Sequence, residues 1–319
     1  MWLSLKKPII GLAPMDGITD PAFRYMVDKY GHADILFTEF VSAAALSQRR
    51  SRVFSSLIKH QTNTPIVLQL FGNNPDDFYK AAIFCAGLGF SGIDINMGCP
   101  DRNISRKGGG AGLIKQPNLA KEIISAVKQA IKDSGNRLSN KPLPIPVSVK
   151  TRIGYDTVVT ESWISNLLEA KPNAITVHGR TLKQLYHGKA DWREIAKAGK
   201  LCKKENVVIL GSGDVKSVSD AENKYLKYNI DGVLIGRAAL GNPWIFSGHV
   251  PSLLKRKNII IEHCQKFMDL TPENNFLALR KHLVWYTKGF FKAAQFRNQL
   301  MKVKSLKDVK LIMENAFNI

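Results

Sequence analysis

Short apolar runs recur along most of the chain, and polar stretches with helical spacing separate them. The runs are Ile9–Met15, Ile35–Val41, Ile66–Phe71, Gly92–Met97, Val147–Ile153, Ala174–His178, Val207–Leu210 and Gly232–Ile235. Each is rich in Val, Ile or Leu, and most lack strict alternation, the pattern of strands buried on both faces of a parallel sheet. Between them, Pro75–Leu88 places Phe78, Ala81, Ala82 and Cys85 at helical spacing, and Pro117–Ile131 does so with Ile123, Ile124, Val127 and Ile131. An open doubly wound sheet uses the same units. The count of eight runs, with polar residues at nearly every C-terminal end, favours a closed (β/α)8 TIM barrel.

The pattern changes near residue 248. Beyond it no strand-like run occurs, and Phe276–Phe291, Ala293–Leu300 and Leu306–Phe317 are expected to be helical. The division expected is therefore a catalytic barrel over 1–247 and a small all-helical C-terminal domain over 248–319. Trp285, Tyr286, Phe290, Phe291 and Phe296 are expected to form the core of that tail, and Lys132–Pro146 is expected to be a basic surface loop.

Charge narrows the class of partner. The 319 residues carry a formal net charge of +20, and the tail holds 13 Lys/Arg against 5 Asp/Glu. Such an excess opposes compaction, and a polyanionic partner, nucleic acid above all, accounts for it. The tail is accordingly expected to present a basic, RNA-binding face. Cys85, Cys99, Cys202 and Cys264 form no C-x-x-C pair and show no metal-ligand spacing, so no metal is expected. They are expected to be reduced thiols of a cytoplasmic protein. Met1–Pro8 lacks the long apolar core of a signal peptide, and no apolar run approaches the roughly 20 residues of a membrane span. A monomer is the default.

Barrels of this kind work at the C-terminal ends of their strands, and the chain concentrates chemistry there. The fourth run leads through Asn96 into Gly98-Cys99-Pro100, a thiol at a strand mouth. Arg102, Arg106 and Lys107 follow, then Gly108–Gly112, expected to be a mobile, positively charged loop beside an anionic substrate. The first run ends in Pro14-Met15-Asp16, where Met15 either lies in the core or offers soft apolar surface to a flat ring. Gln69, polar inside an apolar strand, needs a partner, either a heterocycle edge or a structural hydrogen bond. Lys150, followed by Arg152, is expensive to bury without an anion or polar cofactor, and can also form a Schiff base. His178, followed by Arg180, is a hydrogen-bond donor or an acid–base group. The last two strands end in Gly211-Ser212-Gly213-Asp214 and Gly236-Arg237, turns where backbone N–H groups converge on phosphate.

In combination these segments resemble the tRNA-dihydrouridine synthase family. The matching stretches are Ala13-Pro14-Met15, Gln69–Gly72, Asp94–Pro100, Lys150-Thr151-Arg152, Val177–Thr181, His187–Trp192 and Gly236–Trp244. The resemblance implies an FMN-containing oxidoreductase that reduces uridine to dihydrouridine in tRNA, with NADPH, or else NADH, as electron source. It places Pro14, Met15, Asp16, Gln69, Lys150 and His178 around the flavin, and Ser212, Gly213, Asp214, Gly236 and Arg237 at its phosphate. Cys99 becomes the proton donor; Asn96, Arg152, Arg180, Arg102, Arg106 and Lys107 face the RNA substrate. Ser212 stands where the family usually has asparagine.

The chemistry requires these types of group. Saturating the C5–C6 bond of uracil needs a hydride at one carbon and a proton at the other, and side chains cannot store a hydride. A thiol near its ordinary pKa of about 8.5 is still protonated at pH 7 and can donate. Competing readings are a flavin barrel reducing a free pyrimidine or enone, a lyase using Lys150 as Schiff-base nucleophile, and a non-catalytic tRNA-binding or folding protein.

Overall fold

Strands β1 (Ile9–Leu12), β2 (Leu36–Ser42), β3 (Ile66–Phe71), β4 (Gly92–Met97), β5 (Val147–Gly154), β6 (Ala174–Thr181), β7 (Val208–Ser212) and β8 (Gly232–Ile235) pair in parallel, in chain order. The ring closes where Ile9 of β1 meets Gly232 of β8 and Leu12 meets Ile235. The expected TIM barrel is thus the observed architecture, in a computed structural model that describes residues 1–138, 145–185, 187–271 and 275–317.

Helices α1 (Pro21–Gly31), α2 (Ala43–Ser47), α3 (Pro75–Ala86), α4 (Arg102–Arg106), α5 (Pro117–Leu138), α6 (Thr160–Glu169), α7 (Trp192–Lys204) and α8 (Val218–Tyr228) surround the barrel. Their starts are written locally. Asp20 accepts the Phe23 N–H at 2.8 Å with Pro21 as the first helical residue, and Asn74 caps α3 ahead of Pro75 in the same way. Proline there costs no hydrogen bond and presets the helical φ. Helix α5 runs through Leu138, so residues 132–138 of the expected loop are helical; residues 139–144 lie outside the described residues.

The barrel interior explains where the site lies. Ile9, Phe37, Val67, Ala174, Val208, Leu210 and Leu234 form one buried cluster, with Trp2 packed on Phe37 at a ring-centroid distance of 6.3 Å. Side chains alternate across a strand, so every second residue shares a face. Two positions beyond Val67 stands Gln69, four beyond Ala174 stands His178, two beyond Leu210 stands Ser212. The polar residues at the strand ends therefore continue the inward rows of the apolar core.

Among the described residues four further helices follow: α9 (Leu253–Leu270), α10 (Arg280–Tyr286), α11 (Ala293–Leu300) and α12 (Leu306–Phe317). Helix α9 is not among the helices expected. Its first turn exposes Leu253 and Leu254 beside Lys255, Arg256 and Lys257, and its buried row begins only at Ile259, which blurs the period. The long helix expected over 276–291 is instead a short 3-10 turn (Phe276–Leu279) and α10. Phe291, expected in the core, is 74% exposed, and Phe296 is half-buried.

The core of the tail is not the tail's alone. Ala22 and Met26 of α1 belong to it, together with Ile259, Ile260, Cys264 and Phe267 of α9 and Leu283 and Tyr286 of α10. Polar contacts reinforce the seam. Glu262 accepts hydrogen bonds from Lys29 (2.6 Å), Tyr25 (3.0 Å) and Tyr30 of α1. Buried His263 meets the Tyr286 hydroxyl at 3.1 Å, and buried His282 lies 3.6 Å from Asp20, the cap of α1. Among the described residues no helix is long and apolar enough to cross a membrane.

Candidate active site

A cavity of about 1380 Å³ opens at the C-terminal end of the barrel. Its wall includes Pro14, Met15, Asp16, Gln69, Asn96, Cys99, Lys150, Arg152, His178, Arg180, Ser212, Gly213, Asp214, Gly236 and Arg237. The site residues expected from β1 and β3–β8 thus converge on one space. Arg102, Arg106 and Lys107 do not line it; they lie exposed on α4 and its C-cap.

A buried chain of amides supports Cys99. Gln69 Nε2 donates to Asp94 Oδ2 at 2.7 Å, and Asn96 Nδ2 donates to Gln69 Oε1 at 2.9 Å. Asn96 Oδ1 then accepts the backbone N–H groups of Gly98 (3.0 Å) and Cys99 (2.8 Å). This is the satisfied side chain that a buried polar group demands, and it builds the turn that carries the thiol. Cys99 itself is only 8% exposed. Burial raises its pKa, with the Asp101 and Asp16 carboxylates adding to the rise, so the thiol is protonated at neutral pH.

The glycine run does not form the mobile loop expected of it. Gly109–Gly112 are buried, and Ala111 N–H donates to the Cys99 carbonyl at 3.2 Å. A Cβ on Gly110, whose φ is +53°, would stand 3.0 Å from that carbonyl oxygen and 3.1 Å from Cys99 Cβ. The run is a backing against which Cys99 is pressed, and at Gly110 glycine spares both the positive φ and the crowding a side chain would bring.

Opposite charges are unevenly placed in the wall. Burial, and then the neighbouring Arg152, lower Lys150 to about 8. Burial holds His178 well below its ordinary pKa, reinforced by Arg152, Lys150, Arg180 and Arg237, so its imidazole is neutral. Arg152 donates from Nε to the Gly98 carbonyl at 2.7 Å and from Nη1 to the Thr181 carbonyl at 3.2 Å, bracing the cysteine turn against β6. Arg180 donates to the His187 and Gly188 carbonyls and to Asp214. Burial alone would raise Asp214, but the hydrogen bonds from Arg180 and the Ala190 N–H outweigh it and keep the carboxylate ionised.

The turns after β7 and β8 offer an anion cradle. Gly213 has φ +123°, and a Cβ there would fall 2.6 Å from Ala190 Cβ and 2.9 Å from His178 Cδ2, so the backbone can adopt this close path only as glycine. The adjacent Ser212 hydroxyl is buried on the cavity wall with no hydrogen-bond partner among the described residues. Arg237, bonded to Asp214 Oδ1 at 2.7 Å, borders the same turn. A buried hydroxyl without a partner, a glycine turn and an arginine fit a phosphate-bearing cofactor.

The wall also contains residues that strand-end reasoning did not reach. Lys189, Lys216 and Lys224 join from loops and α8, Phe40 from β2, and Lys288 from just past α10. Lys288 comes from the tail, whose approach to the barrel sequence spacing does not reveal. Asp94 carried a readable signal, a carboxylate alternating with Asn96 inside an apolar strand.

Comparison with known proteins identifies the family of the chain. The family model described as dihydrouridine synthase (Dus) matches residues 11–318. A probable tRNA-dihydrouridine synthase 1 of Synechocystis sp. is 32% identical over 319 residues, covering 96% of this chain and 85% of that protein. A probable tRNA-dihydrouridine synthase 2 of Bacillus subtilis is 31% identical over 325 residues, covering 98% of this chain and 95% of that protein. The solved complex of 2-naphthoyl-CoA reductase with 2-naphthoyl-CoA superposes with a TM-score of 0.54 at 9% identity, over 77% of this chain and 52% of that chain, a likeness of fold. With a family match over nearly its whole length and relatives above 30% identity, the chain belongs to the dihydrouridine synthase family.

Proposed function

We propose that this protein reduces uridines in tRNA to dihydrouridine, using FMN and NADPH, with Cys99 as the acid that protonates C5. The observation that carries the reading is a buried, protonated thiol at the mouth of β4, facing the same cavity as an anion cradle on β7 and β8. FMN, when bound, supplies the hydride that no side chain can store, and NADPH restores it. The Ser212 hydroxyl, the Gly213 and Gly236 turns and Arg237 hold its phosphate, while Met15, Gln69 and Lys150 border the ring. Neutral His178 serves as a hydrogen-bonding group rather than a cation.

The protein's own contribution to the chemistry is the proton. As the C5–C6 bond of uracil is saturated, negative charge develops toward C5 and O4. Cys99 delivers its thiol proton to C5 and later regains one from solvent. The ammonium of Lys150, still charged at pH 7, is placed to stabilise the developing charge.

A stacked uridine cannot reach a recessed cavity, so the base must be flipped in at a cost of a few kcal/mol. Backbone contacts from a basic surface offset that cost, recognise RNA largely by shape and make binding salt-dependent. Residues 248–319, with Arg102, Arg106 and Lys107 on the barrel rim, form that surface in this reading. The decisive experiment incubates purified protein with unmodified tRNA and NADPH and measures dihydrouridine by mass spectrometry. Absence of product from flavin-loaded enzyme across a complete set of cognate tRNAs overturns the proposal.

A further inference from the structure

We propose that Asp94 is a positioning residue: its carboxylate sets the direction of the Gln69–Asn96 amide chain, and through that chain the turn that presents Cys99. The proposal rests on the reading of Cys99 as the working acid for its consequence, but not for its geometry.

Asp94 is fully buried, and both of its oxygens are engaged. Oδ1 accepts the Ser148 hydroxyl at 2.6 Å and Oδ2 accepts Gln69 Nε2 at 2.7 Å. An ionised carboxylate only accepts hydrogen bonds, whereas a side-chain amide donates at one end and accepts at the other. Two amides in series therefore transmit a polarity. With an acceptor at the Asp94 end, Gln69 must turn its NH2 toward Asp94 and its oxygen toward Asn96. Asn96 must then turn its NH2 toward Gln69 and its oxygen toward the peptide. At that far end stand two groups that only donate, the N–H groups of Gly98 and Cys99. Only one orientation of both amides satisfies every member: the two N–H groups demand an acceptor from Asn96, and the carboxylate is the acceptor that completes this order at Gln69.

A donor in place of the carboxylate would select the reverse orientation. The Asn96 NH2 would then face the Gly98 and Cys99 N–H groups, donor against donor, in a buried site. Backing by Gly110 and bracing by Arg152 hold the turn from behind and from the side. The amide chain is what holds its N–H groups from below.

A pair of substitutions tests this in the full-length protein, with flavin content recorded by absorbance. Asp94→Leu keeps the approximate size and removes the acceptor. Asp94→Asn retains it, because the amide oxygen can accept from Gln69 while the amide NH2 donates to the Ser148 hydroxyl. Hydrogen exchange of the 97–99 segment and alkylation of the Cys99 peptide by iodoacetamide, both by mass spectrometry, report on the turn whatever the natural substrate. D94L should exchange at least about tenfold faster than wild type and change the Cys99 alkylation rate. D94N should stay within about twofold of wild type on both readouts. A D94L protein with wild-type exchange and alkylation overturns the proposal, as does D94N no better than D94L. If D94L does not fold, D94N is the test: it must fold and protect the segment, and failure overturns the proposal. Absence of dihydrouridine from wild-type protein would instead remove the functional reading and leave the outcome of this pair standing.

Discussion

Asp214 grips Arg180 through a 2.6 Å ion pair in which the guanidinium is almost entirely buried, while its second oxygen takes Arg237 at 2.7 Å. One carboxylate thus fixes two arginines on the β6 and β8 sides of the cavity, and its φ of +54° aims it there. Removing one partner of a fully buried pair costs about 3–5 kcal/mol, but Asp214 is 29% exposed and Arg180 keeps its two carbonyl hydrogen bonds, so the loss here is smaller. Asp214→Ala should lower stability in urea melts by about 1–3 kcal/mol and weaken FMN binding at least about tenfold in a fluorescence titration. Unchanged melting together with unchanged affinity would show that Asp214 does not organise the cradle.

Cys99→Ala should keep its flavin spectrum while slowing dihydrouridine formation by about 10²–10⁴-fold, the usual worth of a positioned acid. The comparison is of initial rates at matched flavin content. Equal rates would remove Cys99 from the proton step.

Gly110→Ala places a methyl against Cys99, whereas Gly248→Ala imposes a similar positive φ (+71°) with nothing within 4 Å among the described residues. Both should cost about 1–2 kcal/mol of stability for the left-handed backbone, and Gly110→Ala more for the crowding. Only the first should displace Cys99 and slow turnover. Melting temperatures lowered in both, further in Gly110→Ala, with turnover slowed in that variant alone, is the expected pair of results.

Lys150 provides a pH dependence with a definite sign. Burial, then Arg152, bring it to about 8, so it is positive below that pH and neutral above it. The affinity of apoprotein for FMN should be flat on the acid side. It should weaken as pH rises through 8, by at most about tenfold per unit for one linked proton. Lys150→Met should flatten the profile. Stability responds in the opposite direction. The unfolded lysine titrates near 10.4, so between 8 and that value the unfolded chain binds more protons and this residue's contribution rises with pH.

Lys288, exposed and on the cavity wall, brings charge from the tail to the barrel mouth. Lys288→Ala should weaken tRNA binding and reduce the slope of log K against log salt by about 1, with flavin content unchanged. A slope equal to that of wild type would place the lysine outside the RNA contact.

The barrel was legible because parallel strands buried on both faces need dense Val, Ile and Leu, and that density survives in one dimension. The strand-end residues were legible for the same reason, since the inward rows end at Gln69, Lys150, His178 and Ser212. What escaped depends on contacts distant along the chain. Asp94 stands out in its strand, but Ser148 and Gln69 lie 54 and 25 residues away from it. The glycine run suggested motion because glycine permits it; only packing against Cys99 shows that it supplies room instead. Helix α9 hid behind exposed leucines, and with it the seam that carries Lys288 to the cavity.

Because Ala22 and Met26 are shared between α1 and the tail's interior, a cut near residue 248 would not yield two proteins. It would leave a barrel with an oily scar along its first helix and a set of tail helices missing part of their own inside.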